Sequence, residues 1–465
     1  MTDQFAVCSA GETAKPKPKT LDTLPDEMIL GICQHLGKTD ILTLRLVGGK
    51  ISSIADSLAM KQIKFYMYNP DFDKLLAIAN NAAYRELVLS LVYFVEILPV
   101  KHHTLDTYRE IIREEESDDI HPTAALTDAE VSADFLLYDE WWKAQNDILT
   151  TFRDYKVLEE VISKLPKLQR INVIFRDQRQ AALYRDRRPA RSLWVEHYDG
   201  QTNEGRATAR HFRAMLKGVH AAGTRMQFIW ADPVHYKILD ETKFGLHTMT
   251  ELLGDATLFR LVLDVTEQSC FCTWHPPQEP AEIEAVMEDC RFMVGTKVLR
   301  RVLDSMPLLE TLKLSFLEHT FPFRLRFKRP AAFSDIFSDG RRWTRLKVVK
   351  LCNVETDRHE LVRFFRRHRE SLQSFVLERA SLGNTSWYKL LPSLRAVLSG
   401  TKIVPLISGW TTGHSEDGMD TMEGWFLGGV LGPQLQTAVA EYLIGLDREF
   451  PLTEDNMDPR VTRDV

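Results

Sequence analysis

Three residues that lie close together in the sequence have side chains that bind transition metals. Cys270, Cys272 and His275 form this cluster, and Cys290 lies downstream as a possible fourth ligand. Structural zinc sites usually place about two to four residues between paired cysteines, so that both thiolates reach one ion, and here Phe271 alone intervenes. Cys290 falls on the apolar face of a predicted helix, where a thiol ordinarily packs as a small hydrophobic group. The pattern therefore favours reduced cysteines, and we expect no metal and no cofactor.

Two glycine-containing segments match catalytic or nucleotide-binding motifs only in part. Gly31 with the segment 37–39 approaches the phosphate-binding loop, but one residue too many separates its two glycines. The segment 413–417 approaches the turn that carries a nucleophilic serine, but Asp417 replaces the final glycine that this turn needs. We therefore predict that the chain is not an enzyme. A metal-dependent hydrolase is the less favoured alternative, and its support is the cysteine and histidine cluster.

Basic residues are the stronger candidates for binding. Arginines cluster between residues 176 and 191, and basic residues alternate with apolar ones between residues 324 and 329. Arg363, Arg366 and Arg367 share one side of a predicted helix. Guanidinium groups match the oxygens of carboxylates and phosphates, so these clusters are candidates for an acidic or phosphorylated ligand. A solvated outer surface is the simpler interpretation of each cluster.

Composition and length limit the partners and the location of the protein. The 465 residues include 44% hydrophobic ones, which is enough for a large core. A net charge of −6 is small for this length, so we expect neither a nucleic acid nor an anionic membrane as partner. The longest apolar run, residues 87–100, is interrupted by Glu96 and is too short to span a bilayer. Scattered cysteines and an amino terminus without an apolar signal segment predict an intracellular protein, in the cytoplasm or the nucleus.

Two short apolar helices are predicted between residues 24 and 47. Pro25 suits the first position of the first helix, and apolar residues then repeat at i, i+3, i+4 and i+7. These are Ile29, Ile32, Cys33 and Leu36. The second helix, over residues 40–47, is apolar on nearly all sides, so we expect that a partner covers one side of it.

Residues 24–55 resemble the F-box family, in the form typical of fungal members. The family pattern of Leu-Pro-x-Glu, helically spaced isoleucine and leucine, and Asp-Leu-x-x-Leu-Arg-x-Val is followed without a gap. The resemblance implies a helical module that inserts apolar side chains into the adaptor of a cullin-RING ubiquitin ligase. The adaptor-binding residues that it implies are Leu24, Pro25, Ile29, Leu30, Ile32, Leu36, Leu42, Leu46 and Val47. The chain departs from the pattern at Gly31 and at Gly48-Gly49, and each glycine within a helix costs about 1 kcal/mol relative to alanine.

Downstream of these helices a short apolar pattern recurs, with two spacers and then one spacer between its three apolar positions. The copies are Tyr84/Leu87/Leu89, Leu168/Ile171/Val173, Leu258/Leu261/Leu263, Leu309/Leu312/Leu314, Leu346/Val349/Leu351 and Leu372/Phe375/Leu377. The last two positions alternate as in a strand with one buried face, and the pattern resembles a leucine-rich repeat. Only the step from Leu346 to Leu372 falls within the usual period of about 20 to 29 residues, so we infer degenerate units and insertions.

We therefore predict an α/β solenoid in which a short, all-helical F-box module precedes irregular leucine-rich repeats. A disordered tail covers residues 1–19, the F-box module 20–68, the solenoid with its insertions 69–400, and a C-terminal cap and tail 401–465. The resemblance implies a substrate receptor in ubiquitin conjugation, whose partners are the ligase adaptor, the cullin complex and a protein substrate. The alternative is a protein-interaction scaffold with a degenerate F-box and no ligase role.

The outward spacers of the predicted strands are the candidates for substrate contact. In a solenoid they lie together on the concave face, and here they are mostly basic. The candidate residues are Arg170, Arg260, Lys313, Lys347 and Lys350. We expect this face to prefer an acidic or phosphorylated segment of the substrate.

Overall fold

The structure is a computed structural model whose described residues form two compact units, Met1–Gln62 and Ile63–Val465. The described residues are 21–94, 102–117, 127–174, 204–265, 280–317, 329–383, 385–414, 422–427, 433–447 and 449–452. Several sequence predictions fall outside these ranges and are not assessed. They are the disordered tail 1–19, the arginine-rich segment 176–191, the cluster of Cys270, Cys272 and His275, and the basic residues 324–328.

Three helices form the described part of the first unit. They are α1 (Asp26–Gln34), α2 (Lys38–Leu44) and α3 (Gly49–Met60). Asp26 and Glu27 occupy the first turn of α1, where the positive end of the helix dipole favours carboxylates. The unit ends at Gln62, inside the range 20–68 that was predicted for the N-terminal module.

A twelve-stranded sheet organises the second unit. Its strands are β1 (Gln62–Tyr66), β2 (Ser90–Phe94), β3 (Arg170–Ile174), β4 (Phe228–His235), β5 (Leu258–Asp264), β6 (Thr311–Leu317), β7 (Val348–Cys352), β8 (Glu355–Thr356), β9 (Ser374–Glu378), β10 (Ser381–Leu382), β11 (Val404–His414) and β12 (Met422–Leu427). They lie in the order β1-β2-β3-β4-β5-β6-β7-β9-β11-β10-β8, and β12 pairs with β11. The pairs from β2 to β11 are parallel, whereas β12 is antiparallel to β11.

Helices connect these parallel strands, because a parallel neighbour requires a crossover connection. They are α4 (Asn69–Asn80), α5 (Ala82–Arg85), α6 (Leu105–Ser117), α7 (Asp128–Thr151), α8 (Arg153–Ser163), α9 (Glu204–Ala221), α10 (Pro280–Gly295), α11 (Val298–Asp304), α12 (Phe333–Ile336), α13 (Arg358–His368) and α14 (Trp387–Leu398). A further helix, α15 (Pro433–Ile444), follows β12. The α/β class predicted from the sequence is confirmed. Among the described helices, none combines the length and the apolar character needed to cross a membrane.

Two of these helices begin at reciprocal side-chain caps that the sequence encodes. The carboxylate of Asp357 accepts a hydrogen bond from the N–H of Glu360 at 2.8 Å, and the carboxylate of Glu360 accepts one from the N–H of Asp357 at 3.1 Å. Thr127 and Glu130 form the same arrangement at the start of α7. These bonds satisfy N–H groups that have no partner inside the helix, and so they fix where α13 and α7 begin.

One face of each strand forms the core beneath the helices. In β6, Leu312 and Leu314 are buried, and in β7 Val349 and Leu351 are buried, as the recurring pattern predicts. The copy at residues 84–89 is wrong, because the strand begins at Ser90 and all of its residues, from Ser90 to Phe94, are buried. In the copy at 258–263, Leu261 and Leu263 are buried as predicted, but the alignment is shifted by two residues, so Phe259 and Leu261 align with Leu312 and Leu314.

Candidate protein-docking surfaces

Large apolar side chains are exposed on the N-terminal unit. The exposed fractions are 54% for Met28, 40% for Ile32, 41% for Leu42, 85% for Leu46 and 59% for Val47. Scattered single apolar residues are normal on a protein surface, but five within a unit of three short helices are unusual. This surface is therefore the first candidate for binding another protein.

The residues that the F-box resemblance implies for adaptor binding divide into three groups by exposure. Pro25, Ile32, Leu42, Leu46 and Val47 are exposed, and Leu24, Leu30 and Leu36 are partly exposed. Ile29 is fully buried, together with Cys33 on the same helix and with Ile51 and Ala55 on α3. It therefore belongs to the core of the unit and not to the candidate surface. Met28 was not among the candidates, although its position on the flank of α1 was the available signal.

Polar contacts hold the turn that carries the two most exposed candidates. The guanidinium of Arg45 forms an ion pair with Asp56 on α3. The hydroxyl of Ser52 donates a hydrogen bond to the carbonyl of Arg45 at 2.8 Å. Leu46 and Val47 follow directly, so α3 fixes the chain from which their side chains project. The apolar surface is thus presented by an anchored backbone, which lowers the entropy lost on binding.

The glycines of this unit differ in what their conformation requires. Gly31 lies inside α1, and an added Cβ would meet no atom within 4 Å. Gly49 has a φ of +62°, in the left-handed region that favours glycine. Glycine at position 31 therefore lowers the stability of α1 without a conformational reason, whereas position 49 requires glycine because its φ is positive.

We expect opposite effects when these two glycines are replaced by alanine. Gly31→Ala should stabilise α1 by about 1 kcal/mol, which slows amide hydrogen exchange within the helix about fivefold. Gly49→Ala should destabilise the start of α3 by about 1 kcal/mol, because alanine is strained at positive φ. Hydrogen–deuterium exchange of peptides from α1 and α3 measures both effects. Faster exchange in the Gly31 variant would contradict the proposed cost of this glycine.

The second candidate surface is the face of the sheet opposite the core. Strand register aligns one residue from each strand into a row, which we name the central row. It consists of Val92, Asn172, Trp230, Arg260, Lys313, Lys350, Val376 and Leu406. Val92 is buried in a cluster with Tyr66 and Phe94, so the accessible part of the row begins at Asn172. Three of the five predicted substrate-binding residues thus lie side by side, because each occupies the same position on its strand. The sequence pattern predicts these outward residues on one face, and the strand pairing adds which of them are direct neighbours.

Two predicted residues lie outside the central row. Arg170 lies at the start of β3, and its guanidinium stacks 4.0 Å from the ring centre of Phe228. Lys347 precedes β7, and its ammonium lies 2.7 Å from the carboxylate of Glu310. Lys347 and Lys350 are three residues apart, so their side chains point to opposite faces of the sheet. The chain therefore places Lys347 at the end of the strand and not on this face.

Ion pairs neutralise part of the central row. Arg260 pairs with Asp232, and its guanidinium also lies 4.4 Å from the ring centre of Trp230. Lys350 pairs with Glu378 at 2.8 Å. Among the residues that the structure describes, no carboxylate pairs with Lys313, which lies between these two cations. An unneutralised positive charge therefore remains at the centre of the row.

The basic helix face predicted from Arg363, Arg366 and Arg367 serves partly to support the fold. Arg367 donates hydrogen bonds to backbone carbonyls in the loop that precedes β7, one of them to Ser338 at 3.1 Å. Arg363 lies 3.6 Å from the carboxylate of Asp339. Arg366 is exposed. Arg367 therefore supports the fold, whereas Arg363 and Arg366 remain exposed.

Of the four candidate metal ligands in the sequence, Cys290 lies among the residues that the structure describes. No group of three or more histidine, cysteine or acidic side chains there is arranged to hold a metal ion. Cys290 is buried on α10, and burial raises the pKa of its thiol far above the ordinary value. A protonated, buried thiol is neither a nucleophile nor a metal ligand. Cys290 therefore packs as a small apolar residue.

Comparisons with known proteins give no independent assignment. No protein-family model matches the chain, and no curated protein matches its sequence. The exposed apolar surface of the first unit and the central row of the second unit therefore carry the functional argument.

Proposed function

We propose that this protein is the substrate-recognition subunit of a cullin-RING ubiquitin ligase. In this proposal, the N-terminal unit is an F-box, and the second unit is an irregular leucine-rich-repeat solenoid. The observation that supports the proposal most is the exposure of Ile32, Leu42, Leu46 and Val47 on a folded helical unit. These are positions at which the F-box resemblance implies contact with the adaptor.

Adaptor docking would proceed by burial of these side chains. Covering a large apolar side chain completely contributes roughly 1.5 to 3 kcal/mol, so a few anchors are enough for a stable complex. Ile29 is excluded from this role, because it already packs within its own unit. The docking surface would therefore consist of the exposed flank of α1, the end of α2 and the turn that follows it.

The repeat assignment is supported by the recurring relation between sequence and structure in the second unit. Successive strands pair in parallel, place equivalent leucines in the core and continue into helices. Stacked units of this kind bury a continuous core and align their outward residues into rows. Such rows offer a broad surface for a protein substrate.

The proposed mechanism is positioning, and no bond is made or broken by this chain. The first unit would anchor the protein to the ligase, and the second would hold a substrate near the conjugating enzyme. Holding two reactants together raises the effective concentration of the substrate lysines and replaces a bimolecular encounter. The chain therefore needs no cofactor in this role.

The docking proposal predicts that Leu46→Asp with Val47→Asp abolishes adaptor binding. Two carboxylates at the apolar contact would remain desolvated and unpaired, and we expect affinity to fall by at least about fiftyfold. Binding of the purified adaptor to the full-length chain, measured by calorimetry, tests this expectation. The matched control is Leu446→Asp, because Leu446 is 76% exposed but belongs to the second unit.

Two results would contradict the ligase proposal. The first is unchanged adaptor binding by the double variant together with an unchanged circular dichroism spectrum. The second is that the wild-type chain, purified from its native cells, carries neither adaptor nor cullin. Other proteins recovered in that second case would support the scaffold alternative.

A further inference from the structure

The central row changes chemical character along its length. Trp230, Arg260, Lys313 and Lys350 make the middle of the row aromatic and cationic, and the row then ends in Val376 and Leu406. At this apolar end, Leu406 is 37% exposed, and Val404 on the same face of β11 is 63% exposed. An open apolar patch therefore adjoins an open cationic one on the same sheet face.

Two of the three cations of the central row are neutralised by carboxylates of the protein itself, and one is not. Asp232 neutralises Arg260, and Glu378 neutralises Lys350. Lys313 lies between them, and no described carboxylate pairs with it. A ligand that brings one negative charge to Lys313 would neutralise this remaining cation.

We propose that the central row binds an extended protein segment that presents one carboxylate to Lys313 and apolar side chains to Val376, Val404 and Leu406. This inference rests on the proposed function, because it names the substrate class of the proposed receptor. The ligand matches the surface in both respects, by charge at Lys313 and by apolar contact at β9 and β11. A purely acidic segment would leave the apolar end of the row uncovered.

The strand spacing sets the separation of the two anchors in the ligand. Lys313 lies on β6 and Leu406 on β11, with β7 and β9 between them in the sheet. Neighbouring strands are about 4.8 Å apart, so these two positions are about 14 Å apart across the sheet. An extended chain rises about 3.3 Å per residue, and the carboxylate and the apolar anchor should therefore lie about four residues apart.

The charge pattern favours a carboxylate over a phosphate. A phosphoryl group carries a charge of about −1.5 to −2 and is matched best by the fork of an arginine. The nearest arginine in the row, Arg260, already contacts Asp232 and Trp230. The single free ammonium of Lys313 matches the single charge of an aspartate or glutamate.

Selection from a phage-displayed library of random heptapeptides on the full-length protein tests the proposal. Enriched peptides should carry an acidic residue about four positions from large apolar residues. Selection on Lys313→Glu should replace that acidic residue by lysine or arginine, because the charge at the centre of the row is reversed. A synthetic copy of the best peptide should bind Lys313→Gln about fivefold more weakly than wild type.

The matched control is Lys389→Gln, which removes an exposed ammonium from α14 and should leave peptide affinity unchanged. Salt at 0.5 M should weaken binding to wild type but not to Lys313→Gln, because exposed charges are screened. Three results would each overturn the proposal. They are no enriched peptide, the same acidic residue selected by wild type and Lys313→Glu, or tighter binding when phosphoserine replaces the acidic residue.

Adaptor binding separates failure of this inference from failure of the proposed function. The Lys313 variants leave the first unit unchanged and should bind the adaptor as wild type does. A protein that binds the adaptor but selects no such peptide would refute the inference and leave the receptor proposal intact. A protein that selects the peptide but binds no adaptor would refute the receptor proposal alone.

Discussion

Replacing Arg210 by methionine should lower the free energy of unfolding by about 3 to 5 kcal/mol. Asp154, in the first turn of α8, is fully buried, and Arg210 on α9 binds both oxygens of its carboxylate, one of them at 3.0 Å. Burial raises the pKa of Asp154 above the ordinary value, although the neighbouring guanidinium opposes this shift. Without Arg210 the carboxylate would remain in a desolvated site with no counter-charge. Urea denaturation followed by circular dichroism measures the loss.

Arg153→Met is the matched control, because Arg153 directly precedes Asp154 in the sequence and the same type of side chain is removed. Arg153 pairs with Asp73, whose side chain is 64% exposed, and exposed ion pairs contribute at most about 1 kcal/mol. The double variant Arg210→Met with Asp154→Leu should recover much of the lost stability, because it leaves no unpaired charge. A loss below about 1 kcal/mol for Arg210→Met would show that water or another group solvates Asp154.

This buried ion pair illustrates a part of the structure that sequence patterns cannot predict. Asp154 and Arg210 are 56 residues apart, and nothing in either local sequence identifies the other as its partner. Asp154 occupies the first turn of a helix, and a carboxylate there is ordinarily a solvated contributor to the helix dipole. Its burial results from the packing of α9 on α8, which is a tertiary event.

The strands were predictable where large aliphatic residues repeat, and less so elsewhere. Leu309, Leu312 and Leu314 define the register of β6 by themselves. In β4 the equivalent positions are Ile229 and Ala231, and alanine is too small to mark a buried strand position. The register of a strand changes its buried face with a shift of one residue, so a short apolar pattern fixes it only when the residues are unambiguous.

The candidate surfaces were predictable as residue types but not as exposed groups. Ile29 and Ile32 belong to the same helical stripe, yet one is fully buried and the other is 40% exposed. A short helix with apolar residues on several sides does not reveal which side its own unit covers. The alignment of Arg260, Lys313 and Lys350 likewise depends on strand pairing across long and unequal connections.

His368 is an uncharged residue in the packing between α13 and the segment before β7. It is fully buried, and its Nε2 accepts a hydrogen bond from the backbone N–H of Trp343 at 3.2 Å. Its Nδ1 lies 3.0 Å from the carbonyl of Phe364, to which a neutral ring donates a hydrogen bond. Burial, together with the positive charges of Arg367 and Arg342, lowers the pKa of His368 to about 4, although the hydrogen bond to the carbonyl of Phe364 opposes this shift. A protonated ring would lose the bond from Trp343 and carry a buried charge.

Acidification from pH 7 to pH 5 should therefore remove about 2 kcal/mol of stability through His368 alone. The unfolded chain has a histidine pKa of about 6.5, so between pH 6.5 and pH 4 the unfolded state binds more protons than the folded state. The contribution of the residue is complete above pH 6.5 and decreases as the pH falls toward 4.

The difference in unfolding free energy between wild type and His368→Gln isolates this effect from the titration of carboxylates. That difference should shrink by about 2 kcal/mol between pH 7 and pH 5, because glutamine does not titrate. His359→Gln is the control for the substitution itself, since His359 is exposed on the same helix. A constant difference for His368→Gln would mean that the folded protein accepts the proton at this site without loss, and that the packing around Trp343 tolerates a charged ring.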